Sequence, residues 1–250
     1  MDTNSIIVSN TDQVSLINFN RSERRNAMNQ NTRQEVVRIF NDLAEDHKTS
    51  AVIISGENKA FCAGQDLNEA KDFSLDHIDT WIDEHLKLYR AVISFPKPVI
   101  AAIDGCCVGA GLQIALLCDF RIGTPNSFYV MPELNDAIPC ILGIWTLWDL
   151  IGRGRTTEMV FTNRRVLADE ALQWNLINEI VPSSELSAYT IKKAKFLAGK
   201  SRLAFYLTKS RVAHLMMRNM EELTAYAKYA HMRAFASGEP SIAMTDFLHK

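Results

Sequence analysis

The sequence predicts an α/β fold, with a parallel sheet in its first part and a helical C-terminal region. Three observations carry this. Ala51-Val52-Ile53-Ile54 and Val99-Ile100-Ala101-Ala102-Ile103 are short, continuous apolar runs that end near glycine, the pattern of strands buried on both faces. Between them, residues 75–95 place apolar side chains at helical spacing, so strand, helix and strand form a right-handed crossover. Beyond residue 140 the patterning is almost wholly helical.

Taken in order, residues 5–8 and 14–19 read as a hairpin joined through Asn10-Thr11-Asp12. Thr32-x-x-Glu35 is a capping box that opens a helix with Val36, Val37, Ile39, Phe40 and Leu43 on one side. After Gly109, residues 112–118 read as a helix leading into a strand at 119–122. Helices are then expected at 142–150, 155–161, 168–174, 184–198, 202–217 and 220–236, the first stopping at Gly152. Asp169 and Glu170 sit in a first helical turn, where the helix dipole favours them. The last helix is apolar at three- and four-residue spacing through Leu223, Tyr226, Ala227, Ala230 and Phe235, a surface expected to pack on a partner subunit.

Composition narrows the function. Apolar residues are 47% and charged residues 22% of 250, which excludes disordered and fibrous classes. Lys plus Arg, 27, against Asp plus Glu, 29, gives −2, so no basic field recruits nucleic acid. No apolar run approaches the roughly 20 residues of a membrane span. Met1-Asp2-Thr3-Asn4-Ser5 carries no basic segment ahead of an apolar run, so no secretory leader is expected. The five cysteines (62, 106, 107, 118 and 140) are odd in number and lack zinc spacing, and the six histidines form no metal motif. A reduced, cytoplasmic chain is the expectation.

Both buried strands run into small-residue loops, Phe61-Cys62-Ala63-Gly64-Gln65-Asp66-Leu67 and Gly105-Cys106-Cys107-Val108-Gly109-Ala110-Gly111. Ligands in open α/β sheets bind beyond the carboxyl ends of strands. Two such loops bring bare N–H groups toward a ligand oxygen, and the second adds a helix N-terminus, as a developing oxyanion requires. Tight turns and close packing are the competing explanation for these glycines.

Read together, Arg25-Asn26-Ala27-Met28, the segment from Ala60 to Leu67, the run from Pro98 to Gly105, Gly109-Ala110-Gly111 with Ala115 to Asp119, and Met131-Pro132-Glu133 resemble the crotonase (enoyl-CoA hydratase/isomerase) superfamily. The resemblance runs from about residue 12 to the C-terminus. It implies a spiral of ββα units over residues 1–195 and a helical trimerisation region over 196–250, assembled as a homotrimer or a hexamer. The implied substrate is an acyl-CoA thioester, with no separate cofactor and no metal, because coenzyme A arrives as part of the substrate. The positions matching the family's oxyanion hole are the backbone N–H groups of Gln65 and Ala110. Ala63, Gly64, Asp66, Leu67 and Gly109 would line the CoA path, and Arg24 and Arg25 would face its phosphates. Glu23 stands where the family often has lysine, and Asp66 also suits a helix cap.

The carboxylates bear on the reaction. A hydratase of this superfamily uses two glutamates; the first falls at Gln113, an amide, and the second at Glu133. An amide orients but takes no proton, whereas a single carboxylate suffices for a 1,3-proton shift. Met131, Leu134 and Ile138 are expected to enclose Glu133 and raise its pKa toward neutrality. The resemblance thus implies an enzyme in which isomerisation outruns hydration. Dehydration, decarboxylation or thioester hydrolysis on a CoA- or carrier-bound acyl group, and a non-catalytic acyl-CoA binder or RNA-binding member, are the alternatives. Cys140 reads as a buried thiol, and Trp145 and Trp148 as core residues with the acyl-pocket wall as the second option.

Overall fold

The computed structural model describes residues 5–249; the expectation drawn from Met1-Asp2-Thr3-Asn4 lies outside them. Strands β1 (Ile6–Thr11) and β2 (Val14–Phe19) form the expected antiparallel hairpin. Its turn is Asp12-Gln13, both at positive φ, and not Asn10-Thr11-Asp12, because β1 pairs on as far as Thr11. Helix α1 (Gln30–Glu45) begins two residues before Thr32. Its N-cap is Asn29, whose Oδ1 accepts from the Thr32 N–H at 3.0 Å and from the Thr32 hydroxyl at 2.8 Å, so no Thr32–Glu35 box forms.

The chain then winds as three strand pairs. β3 (Ala51–Gly56), β5 (Val99–Ile103) and β7 (Phe120–Gly123) lie parallel in a six-stranded sheet. After each comes a short strand: β4 (Ala60–Cys62), β6 (Cys106–Val108) and β8 (Phe128–Val130) pair in parallel in a second sheet of four. The second sheet departs from the expected picture of two glycine loops, since each loop contains a strand. Two further strands, β9 (Val166–Leu167) and β10 (Glu179–Ile180), close the edges of the two sheets and interrupt the region expected to be almost wholly helical.

Helices cover the sheets. α2 (Leu67–Ala70) follows β4, and α3 (Leu75–Ile93) packs between α1 and the later α8. α4 (Ala110–Leu117) starts directly after Gly109 and is buried on all sides, so its apolar residues surround it without a polar face. α5 (Ile141–Thr162) breaks at Gly152, whose φ of 73° no helix accommodates; the two expected helices thus meet at that residue. α6 (Ala168–Gln173) and α7 (Leu186–Ala198) lead to α8 (Arg202–Ala236), and α9 (Glu239–Leu248) ends the fold. α8 is one helix of 35 residues where two were expected, since Arg218-Asn219 contains no breaker. All five cysteines are buried and unpaired. Among the described residues, no helix is long and apolar enough to cross a membrane.

Candidate active site

A cavity of about 820 Å³ opens where β4, β6 and β8 deliver their carboxyl ends, walled on the other side by α3, α8 and α9. Gly64, Gln65, Gly109, Ala110, Gln113 and Glu133 all line it. The two loops touch. A Cβ on Gly64 would stand 2.8 Å from the Val108 carbonyl oxygen and 3.4 Å from the Ala110 nitrogen, and Gly64 takes φ of +91°. A Cβ on Gly111 would fall 2.6 Å from the Cys62 carbonyl oxygen. Both positions therefore need glycine for close approach, and Gly64 needs it for conformation as well.

Within this junction the Gly64 N–H turns to the Cys62 sulfur, and the Gly109 N–H bonds the Val130 carbonyl at 2.9 Å. The N–H groups of Gln65 and Ala110 have no acceptor among the described residues. The Ala110 N–H is the first of α4 and carries the helix's partial positive charge. Two unspent donors on adjoining strands of backbone are what a thioester oxygen gaining charge requires.

Glu133 opens a single 3-10 turn, Glu133–Asp136, after β8. Its Oε1 accepts from Gln113 Nε2 at 2.8 Å, and Gln113 Oε1 accepts from the Tyr89 hydroxyl at 2.5 Å. Oε2 is buried with no hydrogen-bond partner among the described residues. Burial raises the Glu133 pKa to about 7, against the smaller pull of its own backbone, the Cys140 thiol and the Gln113 amide. Of the three residues expected around it, Met131 and Ile138 are buried, whereas Leu134 is 44% exposed. Asp136, three residues on, lines the same cavity, and burial lifts it to about 6. In a 3-10 turn residues i and i+3 eclipse, which aligns the two acids.

The other expected residues divide. Ala63 and Leu67 line the cavity. Asp66 also borders it, but its carboxylate is committed to Arg21 at 2.9 Å and to the Asn68 N–H as the N-cap of α2, so it braces the loop. Arg24 and Arg25 are exposed at the mouth beside Glu23. Trp145 is core, but Trp148 is 43% exposed and belongs to neither core nor cavity. Tyr89, Asp136, His85 and His231 escaped the sequence reading. The stripe Trp81, His85, Tyr89 at four-residue spacing was the available signal, and it reads equally well as packing.

Comparison with known proteins agrees with this architecture. The family described as "Enoyl-CoA hydratase/isomerase" matches residues 9–250. A short-chain-enoyl-CoA hydratase of Clostridium acetobutylicum is 30% identical over 252 residues, covering 100% of this chain and 97% of that protein. A carboxymethylproline synthase of Pectobacterium carotovorum is 31% identical over 90% of this chain and 91% of its own. The crystal structure of an enoyl-CoA hydratase from Bacillus anthracis superposes with a TM-score of 0.80 at 30% identity, covering 89% of this chain and 90% of that one. An enoyl-CoA hydratase/isomerase from Mycobacterium paratuberculosis has the same fold, with a TM-score of 0.90 over 98% of each chain at 23% identity. With the two touching glycine loops, the enclosed acid and a match along almost its whole length, the chain belongs to the enoyl-CoA hydratase/isomerase family of enzymes.

Proposed function

We propose that this enzyme isomerises the double bond of an enoyl-CoA thioester, with Glu133 as the one group that moves the proton. The observation that carries the reading is the fixed amide of Gln113. Its carbonyl is taken by the Tyr89 hydroxyl and its NH2 by Glu133 Oε1, so it orients the acid and accepts no proton itself. The unpartnered Oε2 is the oxygen available for transfer. The N–H groups of Gln65 and Ala110 hold the thioester oxygen. Glu133 removes a proton from the carbon beside the carbonyl, giving a dienolate, and returns it two carbons farther on. A pKa of about 7 suits both halves of that exchange. Arg24 and Arg25 meet the CoA phosphates, and the reading needs no resident cofactor. The stripe at 223–235 expected to meet a partner is in part this chain's own core, since Ala227 and Phe235 are buried. Assembly through the exposed apolar residues Leu203, Leu207, Val212 and Leu215 of α8, as a trimer or a pair of trimers, belongs to the same proposal in its place.

Asp136 favours a second reading, because a second raised acid one turn from Glu133 would restore two-carboxylate hydration. Purified protein is assayed with a 3-enoyl-CoA and a 2-enoyl-CoA, alongside Glu133→Gln and Asp136→Asn. Isomerisation should exceed hydration, and Glu133→Gln should lower it about 10³-fold. Because Glu133 must be ionised to accept a proton, kcat/KM should rise with pH through about 7 and then stay level. A bell-shaped profile with hydration dominant, and loss of one limb in Asp136→Asn, selects the second reading. No turnover of either thioester, or a Glu133→Gln variant at full rate, defeats both. Product analysis separates dehydration, decarboxylation and thioester hydrolysis.

A further inference from the structure

Two buried imidazoles in the cavity wall have no part in the proton transfer. His85 on α3 is 4% exposed and His231 on α8 is 5% exposed, and both line the cavity. Each turns Nδ1 back to a carbonyl of its own helix: His85 to Trp81 at 3.0 Å, His231 to Ala227 at 2.6 Å. A carbonyl only accepts, so Nδ1 carries the proton in each ring and Nε2 is left as an acceptor. Neither Nε2 meets a donor among the described residues. The rings flank one indole, with centroids 5.2 Å and 5.6 Å from that of Trp81. That indole N–H is already given to Gln65 Oε1 at 3.0 Å, so the wall has no donor to spare for them.

Protonation is not the way these nitrogens are satisfied. Burial, then the Arg33 guanidinium and the neighbouring His231, push His85 down to about 3, and burial pushes His231 down as well. The charged groups near the pair, Arg33, Glu69 and Glu84, are tied to one another at 2.9–3.1 Å and offer nothing to the rings. The acceptors also lie where an acyl chain would run. Tyr89 touches Gln113, and His85 stands one turn nearer the start of α3, about 6 Å away along the helix.

We propose that His85 and His231 form an acceptor pair in the acyl pocket that selects acyl groups bearing a neutral hydrogen-bond donor, a hydroxyl or a carboxamide. The inference rests on the reading of this cavity as an acyl-CoA site. A plain alkyl chain would strand two buried lone pairs away from water, a cost that a donor removes. A carboxylate brings no proton and sets its own lone pairs against theirs. Sites built to hydrogen-bond a substrate group reject the analogue that lacks it, because their own polar atoms are then left unpaired.

Calorimetric titration of the wild-type protein uses saturated CoA thioesters from butyryl to octanoyl, each with its ω-hydroxy counterpart and the matching ω-carboxy compound. At the chain length that reaches the pair, the hydroxy compound should bind about tenfold more tightly than the alkyl one, with the carboxylate weakest. That ratio should fall toward one in His231→Leu and in His85→Phe. Alkyl chains that bind equally well at every length overturn the proposal, as does tightest binding of the carboxylate, or a preference that survives both substitutions. The wild-type ratios decide even if a variant fails to fold. Binding of no thioester at all would instead defeat the acyl-CoA reading itself, an outcome distinct from binding without discrimination.

Discussion

Glu133 lines the cavity and Glu84, on α3, is buried outside its lining, yet their carboxyl groups are treated in opposite ways. Burial by itself would lift Glu84, but it accepts from Gln30 at 2.6 Å, Gln34 at 3.1 Å and Arg33 at 2.9 and 3.2 Å, and it is held below the usual carboxylate range. Glu133 has the Gln113 amide, the lesser pulls of its own backbone and the Cys140 thiol, and one oxygen without a partner among the described residues, and burial carries it up to about 7. Burial sets the penalty and the number of donors decides whether it is felt. The well-paired region also has a reach: Arg33 Nη1 donates to Gln65 Oε1 at 2.8 Å, and Trp81 donates to the same oxygen. One side of the cavity thus fixes the loop that carries a free N–H, while the other leaves Glu133 with a raised pKa.

Removing the centre of the satisfied region should have the largest effect. Arg33→Met strands the buried Glu84 and the half-buried Glu69 without their cation and should cost about 3 kcal/mol in urea unfolding. A loss below about 1 kcal/mol would mean that the network is not what holds this wall. The two glutamates then test each other by sign. Glu133 has a folded pKa above its unfolded value, so its burial is harmless below about pH 4.5, destabilises progressively as pH rises from there to about 7, and costs a constant amount above. Glu133→Gln should therefore gain about 2 kcal/mol at pH 8 and nothing below about pH 4.5. Glu84 is depressed, so its contribution is present above about pH 4.5 and lost as the solution is acidified further. Glu84→Gln should destabilise at pH 8, with the difference closing in acid. Equal signs for the two variants in thermal unfolding at pH 8 would break the contrast.

The same contrast explains what could be read in the sequence. The hairpin, β3, β5 and α3 follow from apolar period, because each is long enough to have one. β4, β6 and β8 have three residues apiece and owe their existence to pairing with one another, which no local pattern records. The α1 start was misread because Thr32 suits a cap; Asn29 supplies a better-placed side chain and draws the Thr32 hydroxyl onto itself. Glu133 was reached through a motif. Its neighbours Tyr89, which reaches it through Gln113, and Asp136 are one hidden in a helical stripe that reads as core and one in a 3-10 turn with no sequence signature.

Tyr89 gives the smallest but most discriminating expectation, because it acts on Glu133 only through Gln113. With its carbonyl held by the tyrosine O–H, the Gln113 amide presents NH2 to Glu133, an arrangement that favours the ionised acid. In Tyr89→Phe nothing fixes the amide, and rotation would turn its carbonyl toward Glu133. A carbonyl accepts only from the protonated acid, so the Glu133 pKa should climb above its already raised value. The rise of kcat with pH should move to higher pH, with kcat at pH 7 down about tenfold, KM little changed and much of the rate regained in alkaline buffer. A tyrosine that merely packs would lower stability and leave the midpoint of that profile where it was. A profile displaced toward acid would mean that the amide faces the acid with its oxygen in the native enzyme, and the roles assigned to the two ends of Gln113 would have to be exchanged.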